Sequence, residues 1–237
     1  MALNLMTLAA LCVGSTAAPG TQGLPAGTDC PAIERTYQDA LVRVAPLVDS
    51  ARGRDGIARV AYAEAGNQGD SGLAGVVYTI LNRLVDGSFG DRLDEVLDSP
   101  HQFEPVTRAG GNWTALPVRA AIEQAHIDTI LNLALDGRLP DPTNGARFFQ
   151  NPAIVAARAS AGTVRRGLVN FGGQKPVAVI RDHAFYDAGK TQAAARPTPS
   201  LFVPVQSAQA GTAEASGEGK ASALVSNSLF VPIQSGH

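Results

Sequence analysis

Cysteine is almost absent: Cys12 and Cys30 are the only two in 237 residues. A disulfide framework is therefore excluded, and at most one bridge can form. If the segment around Cys12 is removed, only Cys30 remains. If it is kept, the two can pair, and the sequence leaves both outcomes open. Lysine is also scarce, with Lys175, Lys190 and Lys220 the only three, and the net charge is −2 with a pI near 6.1. That balance lacks the basic footprint of a nucleic-acid-binding protein. Long hydrophobic runs are missing too. The apolar stretch Leu3–Val13 is too short to span a bilayer, and no later stretch offers a membrane span. No Cys, His and carboxylate set stands at metal-ligand spacing, and no nucleophile-elbow pattern occurs, so neither a metal nor a cofactor is expected.

What is present is a globular composition, 45% hydrophobic and 17% charged. Four regions follow: a signal-like apolar segment and linker over 1–31, an amphipathic helix over 32–50, a folded domain over 51–189 and a flexible tail over 190–237. The first region carries an apolar core followed by small residues near Thr16–Ala18, as in an export signal, but no Lys or Arg precedes Arg35. In the second, Ile33, Tyr37, Leu41, Val44 and Val48 recur at helical spacing, and Pro46 is expected to end or kink the helix.

The centre of the chain is Ala58–Arg83, ARVAYAEAGNQGDSGLAGVVYTILNR. It reads as a helix capped by Asp55 after the polar break ARGRDG, a turn near Gly66, and a second helix opening at Gly72 under an Asp70 or Ser71 cap. Glu64 closes the apolar run Ile57, Val60, Ala61. A carboxyl there keeps its proton above the usual range, because desolvation disfavours the charged form; the plain alternative is a solvated Glu at a helix end. Leu73, Val76, Val77, Ile80, Leu81 and Leu84 make the second helix a core element, with Asn82 and Arg83 in its last full turn, where they either bond the end carbonyls or brace the neighbouring loop. A short helix over Arg92–Leu97, a loop over His101–Val106, a helix opened by Pro117 and running to Leu135, and strands near Phe148 and Pro176–Arg181 complete an α+β domain.

Several stretches together resemble one family, the SleB/CwlJ-type cell wall hydrolases: AYAEAGNQG…GLAGVVYTILNR, HQFEPV, DPTNGARFFQNPA and DHAFY, in the family's order. The resemblance covers about Arg54–Tyr186. It implies a lysozyme-like, mainly helical fold with a few short strands and a cleft for peptidoglycan glycan strands. It also implies a lytic transglycosylase that cuts the MurNAc–GlcNAc bond with one Glu, here Glu64. The family's second acid is replaced by Gln68, and the Arg of its motif by Gly66. Gln102, Phe103, Phe149, Asn151 and His183 are the implied substrate-binding positions, with Asn82, Arg83 and Gln68 supporting. Phe103 as a core anchor, Asn151 as a helix cap and His183 as a structural residue are the bland alternatives.

Two other function classes are weighed. A hydrolytic muramidase needs a second acid, for which Asp70, Glu104 and Asp141 are candidates. A virion or envelope structural protein would keep the fold without catalysis. The tail bears on this choice, because SLFVPVQS (Ser200–Ser207) returns as SLFVPIQS (Ser228–Ser235). Leu201, Phe202, Val203, Leu229, Phe230 and Val231 are expected to dock on an oligomeric protein partner. The alternatives for these repeats are extra strands of the domain or an inconsequential duplication. The expected location is the bacterial periplasm and cell wall after export, or a phage or phage-like particle.

Overall fold

A computed structural model describes Cys12 and residues 29–187. Cys12 and Cys30 form a disulfide with their Cα atoms 5.1 Å apart. Helix α1, Cys30–Val48, starts where the Asp29 side chain accepts the Ala32 N–H at 3.1 Å, and it buries Ala40, Leu41, Val44 and Val48. Pro46 does not stop it at once. The carbonyl that loses its partner belongs to Val42, a solvent-facing residue, so water can replace the missing N–H for the last turn.

Helix α2, Ala51–Ala65, begins earlier than the sequence suggests. The cap is Ser50, whose Oγ accepts the Gly53 N–H at 2.9 Å, and ARGRDG forms its first turns instead of a break. Gly56 is needed there for approach. A Cβ at that position would stand 2.9 Å from Leu97 Cδ1 and 3.3 Å from the Trp113 ring. Helix α3, Gly69–Asp86, also starts ahead of Asp70 and Ser71, with Gln68 at its cap position and no side-chain cap. It ends at Gly87, whose left-handed φ of 71° suits glycine. The interior of α3 is buried from Gly72 to Leu84 and packs against α2 in the main core with Ile57, Val60 and Ala61.

Helix α4 spans Leu93–Leu97 and α5 spans Glu104–Arg108, the latter starting within the stretch expected to be a loop and running two residues past it. Helix α6, Ala121–Leu135, opens four residues after Pro117. Arg59 donates to the carbonyls of Thr114 and Leu116, which holds that stretch outside the helix, and Glu123 accepts the Ala120 N–H to set the start. Strands β1 (Phe148–Gln150), β2 (Ala178–Ile180) and β3 (His183–Tyr186) form an antiparallel sheet ordered β1-β3-β2. Its two-residue periodicity puts Phe149, paired with Phe185, on the helical side. Gly75 of α3 admits Phe185, whose Cζ would lie 2.7 Å from a Cβ there. Phe148 and Tyr186 face the other way. They are covered by Phe171, from the segment that follows helix α7 (Pro152–Ser160), with ring centroids 5.8 and 5.0 Å away.

The architecture is α+β, mainly helical, with one small sheet. Among the described residues no helix is long and apolar enough to cross a membrane. The tail positions Leu201, Phe202, Val203, Leu229, Phe230 and Val231 lie outside the described residues.

Candidate active site

Glu64 sits in the last turn of α2, next to α5. As a residue it keeps partial solvent access, but its Oε1 is closed off and has no hydrogen-bond partner. Proton affinity follows the atom rather than the residue average, and burial pushes the carboxyl up to about 8. The charge of Glu104 adds to the rise. A backbone hydrogen bond from Glu104 and the charges of Arg83 and Arg108 oppose it. The group is therefore largely protonated at neutral pH and able to donate.

Arg83 approaches the same place from α3. Its guanidinium lies over the rings of Phe103 at 4.7 Å and Phe89 at 4.8 Å. Nε donates to the Arg147 carbonyl at 2.7 Å and Nη2 to Gln102 Oε1 at 3.1 Å, while the buried Nη1 has no partner. Burial lowers Arg83 to about 9, and the Glu64 carboxylate pulls the other way. Glu104 is held by Arg158 of α7, which donates to Oε1 at 2.8 Å and Oε2 at 3.2 Å, and by Arg108 one turn on.

The residues proposed from sequence divide accordingly. Glu64, Arg83, Gln102 and Phe103 come together. Phe103 is wholly buried beneath the Arg83 guanidinium, so it supports the site by packing and offers no face for stacking on a sugar. Phe149 lies behind it at 6.4 Å and is itself almost fully buried between Phe103, His183 and Phe185. His183 stacks on Phe149 at 5.2 Å and has an unpartnered buried Nδ1; burial lowers its pKa, which keeps it neutral at neutral pH.

Others are engaged elsewhere. Asn151 caps α7 by accepting the Ile154 N–H at 3.1 Å. Gln68 ties the start of α3 to the β2–β3 turn, donating to Asp182 Oδ2 and accepting the Asp182 N–H, both at 3.1 Å. Asn82 is fully buried among Tyr37, Asp141, Thr143 and Ala146. Arg158 carries no sequence signal for a site role. It stands 54 residues from Glu104, and only the packing of α7 joins them.

A surface crevice of about 250 Å³ lies at the other end of α2, lined by Pro46, Leu47, Arg52 and Asp94 among others. Glu64 is about 18 Å away along the helix at 1.5 Å per residue, and Arg52 and Asp94 there pair with each other. The crevice is separate from the site.

The Cell Wall Hydrolase family profile matches residues 67–186, half of the chain, and the protein belongs to that family. It is thereby an enzyme of peptidoglycan degradation. The match begins three residues after Glu64, so the case for that residue rests on its surroundings. No curated protein and no solved structure matches the chain.

Proposed function

We propose that the protein is a lytic transglycosylase that cleaves the MurNAc–GlcNAc β-1,4 bond with Glu64 as its one acid and base. The carrying observation is a carboxyl with one buried oxygen that has no partner, pushed up to about 8, while every other candidate acid is occupied. Asp70 is largely exposed and contacts His126 at 3.3 Å. Asp141 is enclosed by Asn82, Thr143 and Gly145. Both Glu104 oxygens are taken by Arg158, which makes Glu104 a poor base for water.

Glu64 gives its proton to the bridging oxygen as the C1–O bond of MurNAc breaks. The MurNAc 6-oxygen then bonds to C1, and its proton passes to the Glu64 carboxylate. The balance closes: the C1–O bond to GlcNAc is exchanged for a C1–O6 bond, the departing GlcNAc keeps the donated proton as its 4-hydroxyl, and Glu64 is protonated again. The intramolecular hydroxyl replaces the water that a second carboxylate would activate in a hydrolase. A well-oriented intramolecular attacker is worth about 7–11 kcal/mol of barrier.

Mass analysis of fragments from purified peptidoglycan is expected to give muropeptides one water lighter than hydrolysis products. Fragments carrying the full water would make the enzyme a muramidase, and an intact sacculus would favour the non-catalytic reading. The repeated tail segments support a second proposal, tethering to an oligomeric partner in a phage or phage-like particle. Deleting Ser200–Ser207 and Ser228–Ser235 together should release the enzyme from co-sedimenting material and leave glycan cleavage unchanged. Persistent co-sedimentation of the doubly deleted chain would rule the tether out.

A further inference from the structure

Three features converge on the tripeptide Gln102–Phe103–Glu104. Arg83 holds its first residue through Nη2 and the ring of its second through the guanidinium face. The backbone of its third bonds the Glu64 carboxylate. Arg83 is in turn fixed by the Arg147 carbonyl and by Phe89, with no carboxylate within ion-pair distance among the described residues. An Arg wholly out of water with one orphaned N–H is costly to keep unless its charge has work elsewhere.

At neutral pH the anion it can serve, the Glu64 carboxylate, forms mainly when the proton is given up in the reaction. We propose that Arg83 is the positioning residue for Glu64: its grip on Gln102 and Phe103 aims the Glu104 N–H at the carboxyl, and its uncompensated charge stabilises the carboxylate left when the proton moves to the sugar oxygen. This rests on the transglycosylase reading above. It also gives the orphaned Nη1 and the orphaned Glu64 Oε1 a common reason, since neither has another partner among the described residues. A preorganised donor aimed at charge that develops in the transition state adds to rate more than to ground-state binding.

The charges acting on Glu64 are Arg83 on α3 and Glu104 and Arg108 on α5. Arg83 also faces Arg147, which opposes its charge. Helices α4 and α6 bring Asp94 to Arg52 and Asp128 to Arg54 at the N-terminal end of α2, and α6 also brings His126 and Glu123 to Tyr62, two residues before Glu64. Arg83 and Glu104 therefore act on one proton with opposite sign, which gives the test two arms.

The full chain is assayed on soluble glycan strands across pH 5–10, with kcat and KM separated. Arg83→Met should lower kcat roughly tenfold or more with little change in KM. Its alkaline limb should move to higher pH, because the neutral carboxyl has lost an opposing cation. Glu104→Gln should move that limb to lower pH. Arg83→Lys keeps a cation but breaks the clamp, so kcat falls while the limb stays near its wild-type place; this variant decides the matter if Arg83→Met does not fold.

Unmoved limbs in both Arg83→Met and Glu104→Gln, or a folded Arg83→Lys with wild-type kcat, would overturn the proposal. If Glu64→Gln is inactive in the same assay, such a result removes only the role of Arg83. If Glu64→Gln remains active, the transglycosylase reading itself fails.

Discussion

Glu64→Gln is expected to lose glycan cleavage by about a hundred- to ten-thousandfold, the usual contribution of a positioned acid, while the protein becomes more stable in alkaline buffer. Both effects have one cause. The folded state holds this carboxyl at about 8 against an ordinary value of 4.5, because burial disfavours its charged form. Between those values the folded protein binds more protons than the unfolded chain, so stability falls as pH rises through the window. Below pH 4.5 both states are protonated and the wild type carries no penalty. Above pH 8 the full penalty is present, on the order of 4–5 kcal/mol at about 1.4 kcal/mol per unit.

Gln has nearly the same shape and no charge to bury. The variant should melt close to wild type at pH 4 and roughly 10 °C or more higher at pH 9. Thermal unfolding at the two pH values, run beside a lysis assay, checks both halves. Equal melting at pH 9 would place the carboxyl in water, and retained lysis would remove it from the mechanism.

Asn82→Ala is expected to destabilise the fold by about 3–5 kcal/mol, at the upper end for a single substitution. Asn82 accepts the Tyr37 hydroxyl at 2.9 Å and donates to Asp141 Oδ2 at 2.9 Å and the Ala146 carbonyl at 3.1 Å, all with its own side chain fully buried. Alanine strands each of those partners, and a stranded buried group loses water without replacement.

Asp141 suffers most. Burial already raises it, and the Asn82 amide is the foremost of the bonds that hold it down. Removing that amide lifts the folded pKa further, so the deficit should grow as pH rises from the unfolded carboxylate range toward neutrality. Urea unfolding at pH 4 and pH 7 should therefore show a larger loss at pH 7. A deficit under about 1 kcal/mol at both would mean that water repairs the gap.

Much of this was legible residue by residue. The periodicity of Leu73, Val76, Val77, Ile80 and Leu81 places α3 in the core, and the β-branched run before Arg181 becomes β2. Helix starts were less legible, because caps are chosen by tertiary partners. Asp55 is a good cap in isolation, yet Ser50 serves because Arg54 reaches Asp49 and Asn132 and steadies the extra turn. Pro117 is a good first-turn residue, yet Arg59 holds the preceding carbonyls outside the helix. Phe103 and Phe149 show the same limit at the site. An aromatic in a loop motif suits a sugar platform, and only packing reveals that Arg83 and the sheet have taken its faces.

By itself the sequence determined the family, the mainly helical α+β class and the singling out of Glu64, because apolar period and motif order are properties of the chain alone. The tertiary structure decided the surroundings of Glu64. Its proton is held by burial, by Glu104 and against Arg83, groups up to 40 residues apart that only folding brings together. Desolvation and charge act through space, so their sum at one carboxyl exists only once the chain has closed around it.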